Sequence, residues 1–289
     1  MTAPADSGEA RPTSSPPGSA PPRRAGNTLQ RMPKGNIGHV VAVGSGKGGV
    51  GKSTATALLA VGLQKQGFKV GILDADVTGP SIPKLFGLTG PLVDRGEGIE
   101  PARTPTGVPV VSSQFLVEDE QTPVIWRGPL VTRLIIQFFG GVNWGPLDYL
   151  LIDMPPGTSD VPLTVFQTIP IDGMLFVFTP QELAALIVKK AMNMARDLHV
   201  PLLGIVENMA FLDCPHCQHR IDLFGPSRVA AVAEEYGVPI VAQLPVDPAI
   251  SIEGDAGAIA QYSAPALDAY TRAFLAAMDD AKKSQLTVL

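Results

Sequence analysis

Beyond residue 38 the chain alternates between short unbroken apolar runs and longer stretches whose apolar residues recur every three or four positions. The runs at 39–45, 69–76, 147–153, 172–179, 201–208 and 238–244 are dominated by Val, Ile, Leu and Phe and are too short for helices, so each predicts a buried strand. Helical spacing holds over 53–67, 130–142, 181–198, 226–237 and 267–283, the first stretch stopping at Gly67. Strands that lack polar alternation need cover on both faces, and the long connections between them suit crossovers rather than hairpins. Right-handed crossovers then give an α/β fold: a doubly wound, mostly parallel sheet with helices on both faces, in three layers.

The start of the chain breaks this pattern. Pro, Gly, Ser and Ala fill 20 of the first 35 positions, and no Val, Ile, Leu, Phe, Trp or Tyr precedes Leu29. Such a segment buries too little to offset its ordering entropy, which predicts a disordered tail over 1–36 and one folded domain over 37–285. The tail lacks the apolar stretch of a secretory leader, and Asp6 and Glu9 sit badly with an organelle transit peptide.

At 289 residues and 45% hydrophobic, the chain can build a large core, which excludes a wholly disordered or collagen-like protein. No stretch of 18 uncharged apolar residues occurs, so no membrane-crossing helix and no membrane partner are expected. The formal charge of −5 divides unevenly: Arg11, Arg23, Arg24, Arg31 and Lys34 against Asp6 and Glu9 leave the first 35 residues at +3 and the body at −8. An acidic body argues against nucleic acid as a partner. Two cysteines, three positions apart, are too few for a secreted disulfide scaffold and predict a reducing, cytoplasmic setting.

The strongest chemical signal is the run Gly46, Lys47, Gly48, Gly49, Val50, Gly51, Lys52, Ser53, Thr54, a phosphate loop placed between a predicted strand and a predicted helix. Its glycines let successive N–H groups turn toward phosphate oxygens, and the helix N-terminus adds its positive end. Lys52 is then expected on the β- and γ-phosphates of ATP and the Ser53 hydroxyl on Mg2+. Asp153 closes the apolar run 147–153, where a carboxylate suits the Mg2+ site through water. Asp74 and Asp76 close the run 69–76 at the same sheet edge. Gly157, in the turn after Asp153, can bring its N–H to the γ-phosphate as part of a switch.

Lys47 is not required by an ordinary phosphate loop. With it, GKGGVGKS resembles the loop of the MinD/ParA/nitrogenase-iron-protein class. That resemblance implies that Lys47 crosses a nucleotide-sandwiched homodimer to its partner's phosphates, that Asp76 orients the attacking water and that Asp74 supports the metal. The catalytic set is then Lys47, Lys52 and Asp76, with Ser53, Asp74 and Asp153 at Mg2+.

Cys214 and Cys217 lie just beyond the run ending at Asn208. A structural accident, a redox pair, half a zinc site and half an iron–sulfur site all compete. A redox motif belongs at the start of a helix in its own fold, and His216 and His219 are too close in sequence to complete a tetrahedron comfortably. A 4Fe-4S cluster wants four thiolates, which a two-fold dimer of this chain would supply. With the pair in view, the chain resembles the Mrp/ApbC-type iron–sulfur cluster carrier ATPases through SGKGGVGKST, DADVTGPSIP, WRGP (126–129), WGPLDYLLIDMPPGTSD, TPQELA, ENMAF, CPHC and GDAGA. This resemblance implies an ATPase that holds a 4Fe-4S cluster at a homodimer interface, takes it from upstream scaffold proteins and passes it to apo iron–sulfur proteins. It also implies that Asn208 reads the adenine edge and that Pro245 and Asp247 line the base pocket. Ser159 and the run Pro226-Ser227-Arg228 depart from the glycines common in that family. A positioning ATPase of the MinD/ParA kind and a zinc-stapled scaffold are the rival expectations.

Overall fold

The computed structural model describes residues 31–94, 96, 98–116, 128–158, 160–181 and 186–287. Most of the expected tail, Trp126 and Arg127 of the WRGP run, Ser159 and the first turn of the helix expected at 181 lie outside these residues. In chain order, β1 (Ile37–Gly44), α1 (Lys52–Lys65), β2 (Val70–Asp74) and α2 (Ile82–Leu85) come first. A small ribbon follows, β3 (Val93–Asp94) with β4 (Ile99–Glu100), then β5 (Ala102–Arg103) and β6 (Pro109–Ser112). Next are α3 (Gly128–Gly140), β7 (Leu147–Asp153), α4 (Asp160–Thr168), β8 (Gly173–Phe178), α5 (Leu186–Asp197) and β9 (Leu202–Glu207). A second ribbon, β10 (Leu212–Asp213) with β11 (Arg220–Ile221), precedes α6 (Val229–Tyr236), β12 (Ile240–Gln243), α7 (Pro248–Asp255) and α8 (Pro265–Thr287).

Eight strands form one sheet in the order β12-β9-β8-β1-β7-β2-β6-β5, parallel throughout except for β5, which runs antiparallel on the edge. The doubly wound three-layer reading therefore holds. Alternate residues of each strand feed opposite cores, as a two-period pleat requires. Val40 and Ala42 join the cluster under α3, α4, α5 and α6, which includes Phe138, Phe166, Met192 and Val232. Val41 and Val43 join the cluster under α1, α2 and α8, which includes Leu59, Ile82, Tyr270 and Phe274.

Register then sets the functional edge. Val43 stands opposite Asp153, Asp153 opposite Asp74, and Asp74 opposite Ser112. Three polar side chains thus sit abreast at three adjoining strand tips. On the other side of β1, Phe178 pairs with Glu207 and Glu207 with Gln243.

Three local features depart from expectation. β2 stops at Asp74, so Asp76 stands in the following loop rather than on the strand. Residues 31–36, grouped above with the tail, lie against the body: Met32 donates its N–H to Thr168 O at 2.9 Å, and Lys34 pairs with Asp172. Gly87 and Gly257, just past α2 and α7, meet backbone to backbone with φ of +64° and +70°, and a Cβ on Gly257 would come within 2.5 Å of the Gly87 Cα. Only glycine tolerates both that dihedral and that approach.

Candidate functional site

The loop after β1 leads directly into α1, whose first residue is Lys52. Gly51 takes φ +80°, and any Cβ there would run into the Asn208 amide, so the loop folds back tightly only because this position is bare. Beside it opens a cavity of about 210 Å³ whose lining includes Lys47, Gly49, Lys52, Ser53, Thr54 and Asp76. Gly46 and Val50 are buried, whereas Lys47, Gly48 and Gly49 are exposed, which puts Lys47 on the open side of the cavity.

Behind the loop lies a buried polar corner. Lys52 Nζ is 2.8 Å from Asp153 Oδ2 and 3.6 Å from Asp76 Oδ2. Ser53 Oγ donates to Asp153 Oδ2, and the Thr56 hydroxyl shares its proton between Asp153 Oδ1 and Lys52 O, each 3.0 Å away. Asp153 is thus aimed by two hydroxyls one helical turn apart. Asp74, fully buried, accepts from Ser112 Oγ at 3.0 Å, Asp76 N at 3.2 Å and Ile82 N at 3.4 Å. Asp76 Oδ1 accepts from Thr78 Oγ1 at 3.1 Å.

The electrostatics follow from burial and crowding. Burial, then the Asp153 carboxylate, push Asp74 up to about 8. Asp76 is raised as well, chiefly by burial, with Lys52 opposing. For Lys52 burial works against the charge, but Asp153 and Asp76 outweigh it and its pKa stands above the ordinary lysine value. The donor set of Ser53, Asp153 and Asp74 is all oxygen, which suits a hard cation such as Mg2+.

The expected adenine side is arranged differently from the phosphate side. Asn208 is buried; its N–H donates to Phe178 O at 2.7 Å and its amide to Val50 O at 2.9 Å. Asp247 caps α7 through Ala249 N at 2.9 Å and accepts from the Tyr262 hydroxyl at 2.8 Å. Asn208, Pro245 and Asp247 all stand outside the 210 Å³ cavity. Gly157 is beside the loop, its N–H donated to Ser45 O at 2.9 Å.

Cys214 and Cys217 occupy the loop 214–219 that joins β10 to β11, a hairpin closed by Cys214 N–H to His219 O and Gln218 N–H to Cys214 O. Gln218 takes φ +59°, the left-handed turn such a short loop needs. The N–H groups of Cys217 and His216 and the Cys217 side chain point at the Cys214 sulfur and lower its pKa, which favours the thiolate that binds metals. Arg220 stacks on the Phe211 ring, 3.8 Å from its centre, and braces the hairpin's return strand. Ile221, Leu223 and Phe224 follow with 40–46% of their surface exposed. Among the described residues no three His, Cys, Asp or Glu side chains converge on a common metal position.

Thr56, Ser112 and Thr78 escaped the sequence reading. Thr56 had a signal, since it lies one turn beyond Ser53 on the same helix face. Ser112 had none, because its role depends on which strand neighbours β2.

A parallel sheet whose central strand delivers a glycine loop to a helix, with carboxylates on the adjoining strand tips, defines a P-loop NTPase fold. The chain belongs to the ParA group described as NUBPL iron-transfer P-loop NTPase, whose family model matches residues 36–280. Curated relatives agree. An iron-sulfur cluster carrier protein of Aquifex aeolicus is 44% identical over 232 residues, covering 80% of this chain and 63% of its own length. The cytosolic Fe-S cluster assembly factor CFD1 of Eremothecium gossypii is 46% identical over 223 residues, covering 74% of this chain and 78% of its own. Among solved structures, a nucleotide-binding protein of Archaeoglobus fulgidus in complex with ADP shares 48% identity at TM-score 0.72, over 80% of this chain and 91% of that one. The cell division ATPase MinD of Pyrococcus furiosus shares the fold alone, at 22% identity and TM-score 0.58 over 85% and 99%.

Proposed function

We propose that this chain is an ATP-hydrolysing iron–sulfur cluster carrier of the cytoplasm that works as a homodimer, accepts a 4Fe-4S cluster from a scaffold protein and delivers it to apo-proteins. One observation carries the reading: an exposed hairpin with two thiols springs from the sheet edge that also holds the phosphate loop. Two thiolates fill half of a cluster's iron valences, and a second copy supplies the rest. The exposed Ile221, Leu223 and Phe224 beside the hairpin give that contact apolar surface to bury.

ATP lies with its phosphates in the loop, held by the N–H groups of residues 46–54 and by Lys52. Ser53 and Asp153, with Asp74 behind them, would hold Mg2+, which would supply charge neutralisation at the phosphates. Asp76 orients the attacking water, Lys47 reaches the partner's phosphates, and Gly157 senses the γ-phosphate. Asn208, Pro245 and Asp247 flank the base. Hydrolysis changes the dimer contact and, through it, the hold on the cluster.

The test is anaerobic reconstitution followed by iron and sulfide analysis and light scattering. About four irons per two chains are expected, with loss of iron in Cys214→Ala and Cys217→Ala while nucleotide binding persists. Full iron retention in both variants, or an iron-loaded monomer, overturns the reading.

A further inference from the structure

Between β9 and α6 the chain leaves the body at Glu207 and Asn208, carries the cysteine hairpin out, and returns at Ser227. Most of residues 213–228 are exposed, so the excursion's setting depends on what grips its base. That grip is a fully buried carboxylate. Both Glu207 oxygens lie 2.8 Å from the Ser227 hydroxyl, and Oε2 accepts from Gln243 Nε2 at 2.6 Å. Ser227 Oγ in turn accepts the N–H of Val229, the first residue of α6, at 3.2 Å. An apolar residue would fill this space without the desolvation penalty of a carboxylate. What the carboxylate adds is direction: it fixes where the returning limb meets the sheet.

The very next residue is Asn208, whose amide holds the Val50 carbonyl of the phosphate loop and packs on Gly51. Two consecutive residues at the tip of β9 therefore grip the phosphate loop and the hairpin's returning limb. We infer that Glu207 is a positioning residue that ties the state of the phosphate loop to the setting of the cysteine hairpin. The inference deepens, and rests on, the reading of Cys214 and Cys217 as cluster ligands. A shift of the Val50 carbonyl moves Asn208 and, through one shared peptide unit, the anchor of the excursion.

The experiment reads the cysteines without any cluster. In metal-free full-length protein, the rate at which an aromatic disulfide reagent modifies Cys214 and Cys217 is measured with and without Mg·ADP. The wild type is expected to show about a five-fold or larger nucleotide effect on that rate. Glu207→Gln and Ser227→Ala are expected to bring the ratio close to one while ADP affinity stays within about two-fold, and Ser227→Thr, which keeps the hydroxyl, to restore it. A purely structural role would change both rates alike and leave the ratio intact, which overturns the proposal. So does a wild type whose rate ignores nucleotide. Iron loading is measured on the same preparations: a ratio that collapses in the variants while wild type holds no iron supports the coupling and defeats only the carrier reading.

Discussion

Replacing Asp74 by asparagine removes an ionisable group whose pKa the fold raises. Burial and the Asp153 carboxylate raise its pKa from 3.8 to about 8. An acid raised on folding binds its proton more tightly in the folded chain. Its contribution to stability is therefore complete below pH ~4 and is lost as the pH climbs through about 8. For one such group the loss is ~1.4 kcal/mol per pH unit, or roughly 3–4 kcal/mol between pH 5 and pH 8. Asparagine keeps the shape but not the titration, and it sacrifices about 1 kcal/mol where its amide nitrogen faces the Asp76 or Ile82 N–H. The variant is thus expected to be close to wild type at pH 5, where the hydrogen-bond cost offsets the first part of the wild-type loss, and more stable by roughly 3–4 kcal/mol at pH 8. Urea unfolding followed by circular dichroism at pH 5, 6, 7 and 8, without nucleotide or divalent cation, gives the difference directly. Other groups titrate in both proteins and largely cancel. A stability difference that stays flat within about 0.5 kcal/mol across this range would refute the reasoning.

Three further outcomes are expected. Thr56→Val strips one of the two hydroxyls that aim Asp153 and leaves Oδ1 unpaired, so it should cost about 1–3 kcal/mol in denaturant unfolding and weaken Mg2+-dependent nucleotide binding in titration calorimetry. Gly257→Ala sets a methyl against the Gly87 backbone at a left-handed dihedral; about 2–4 kcal/mol of lost stability is expected, and an unchanged melting temperature would contradict the contact. Lys47→Ala and Asp76→Asn should each bind nucleotide yet hydrolyse it slowly. If the lysine acts across the dimer, an equal mixture regains about a quarter of wild-type turnover, since half the dimers are mixed and each has one complete site; no recovery on mixing argues for action within one chain.

Much of this architecture is written locally. The phosphate loop and the main strands are read from contiguous residues, because fully buried parallel strands need unbroken apolar runs and the loop needs its glycines in series. Asp76 was harder: it continues the run LDAD in sequence, but the strand ends at Asp74, and only the sheet's register reveals that. Ser112 and Glu207 were out of reach for a different reason. Each gains its role from a neighbour 20 or more residues away, Asp74 in one case and Ser227 in the other. The spacing of the cysteine pair was plain in the sequence, but the β10–β11 hairpin that presents it has only two residues per strand, too few for a periodic signal.

The meeting of Gly87 with Gly257 has a consequence for how the loop beyond Asp76 is able to move. Side chains at a seam act as cushions, sliding and changing rotamer so that neighbouring segments drift apart by degrees. Here, at Gly87 and Gly257, two bare backbones touch with no side chain between them. The seam is therefore expected to behave as a latch with two settings, shut or parted wide enough to admit water, rather than a hinge with many. A pair of spin labels, one on either side, would read two discrete separations instead of a broad spread.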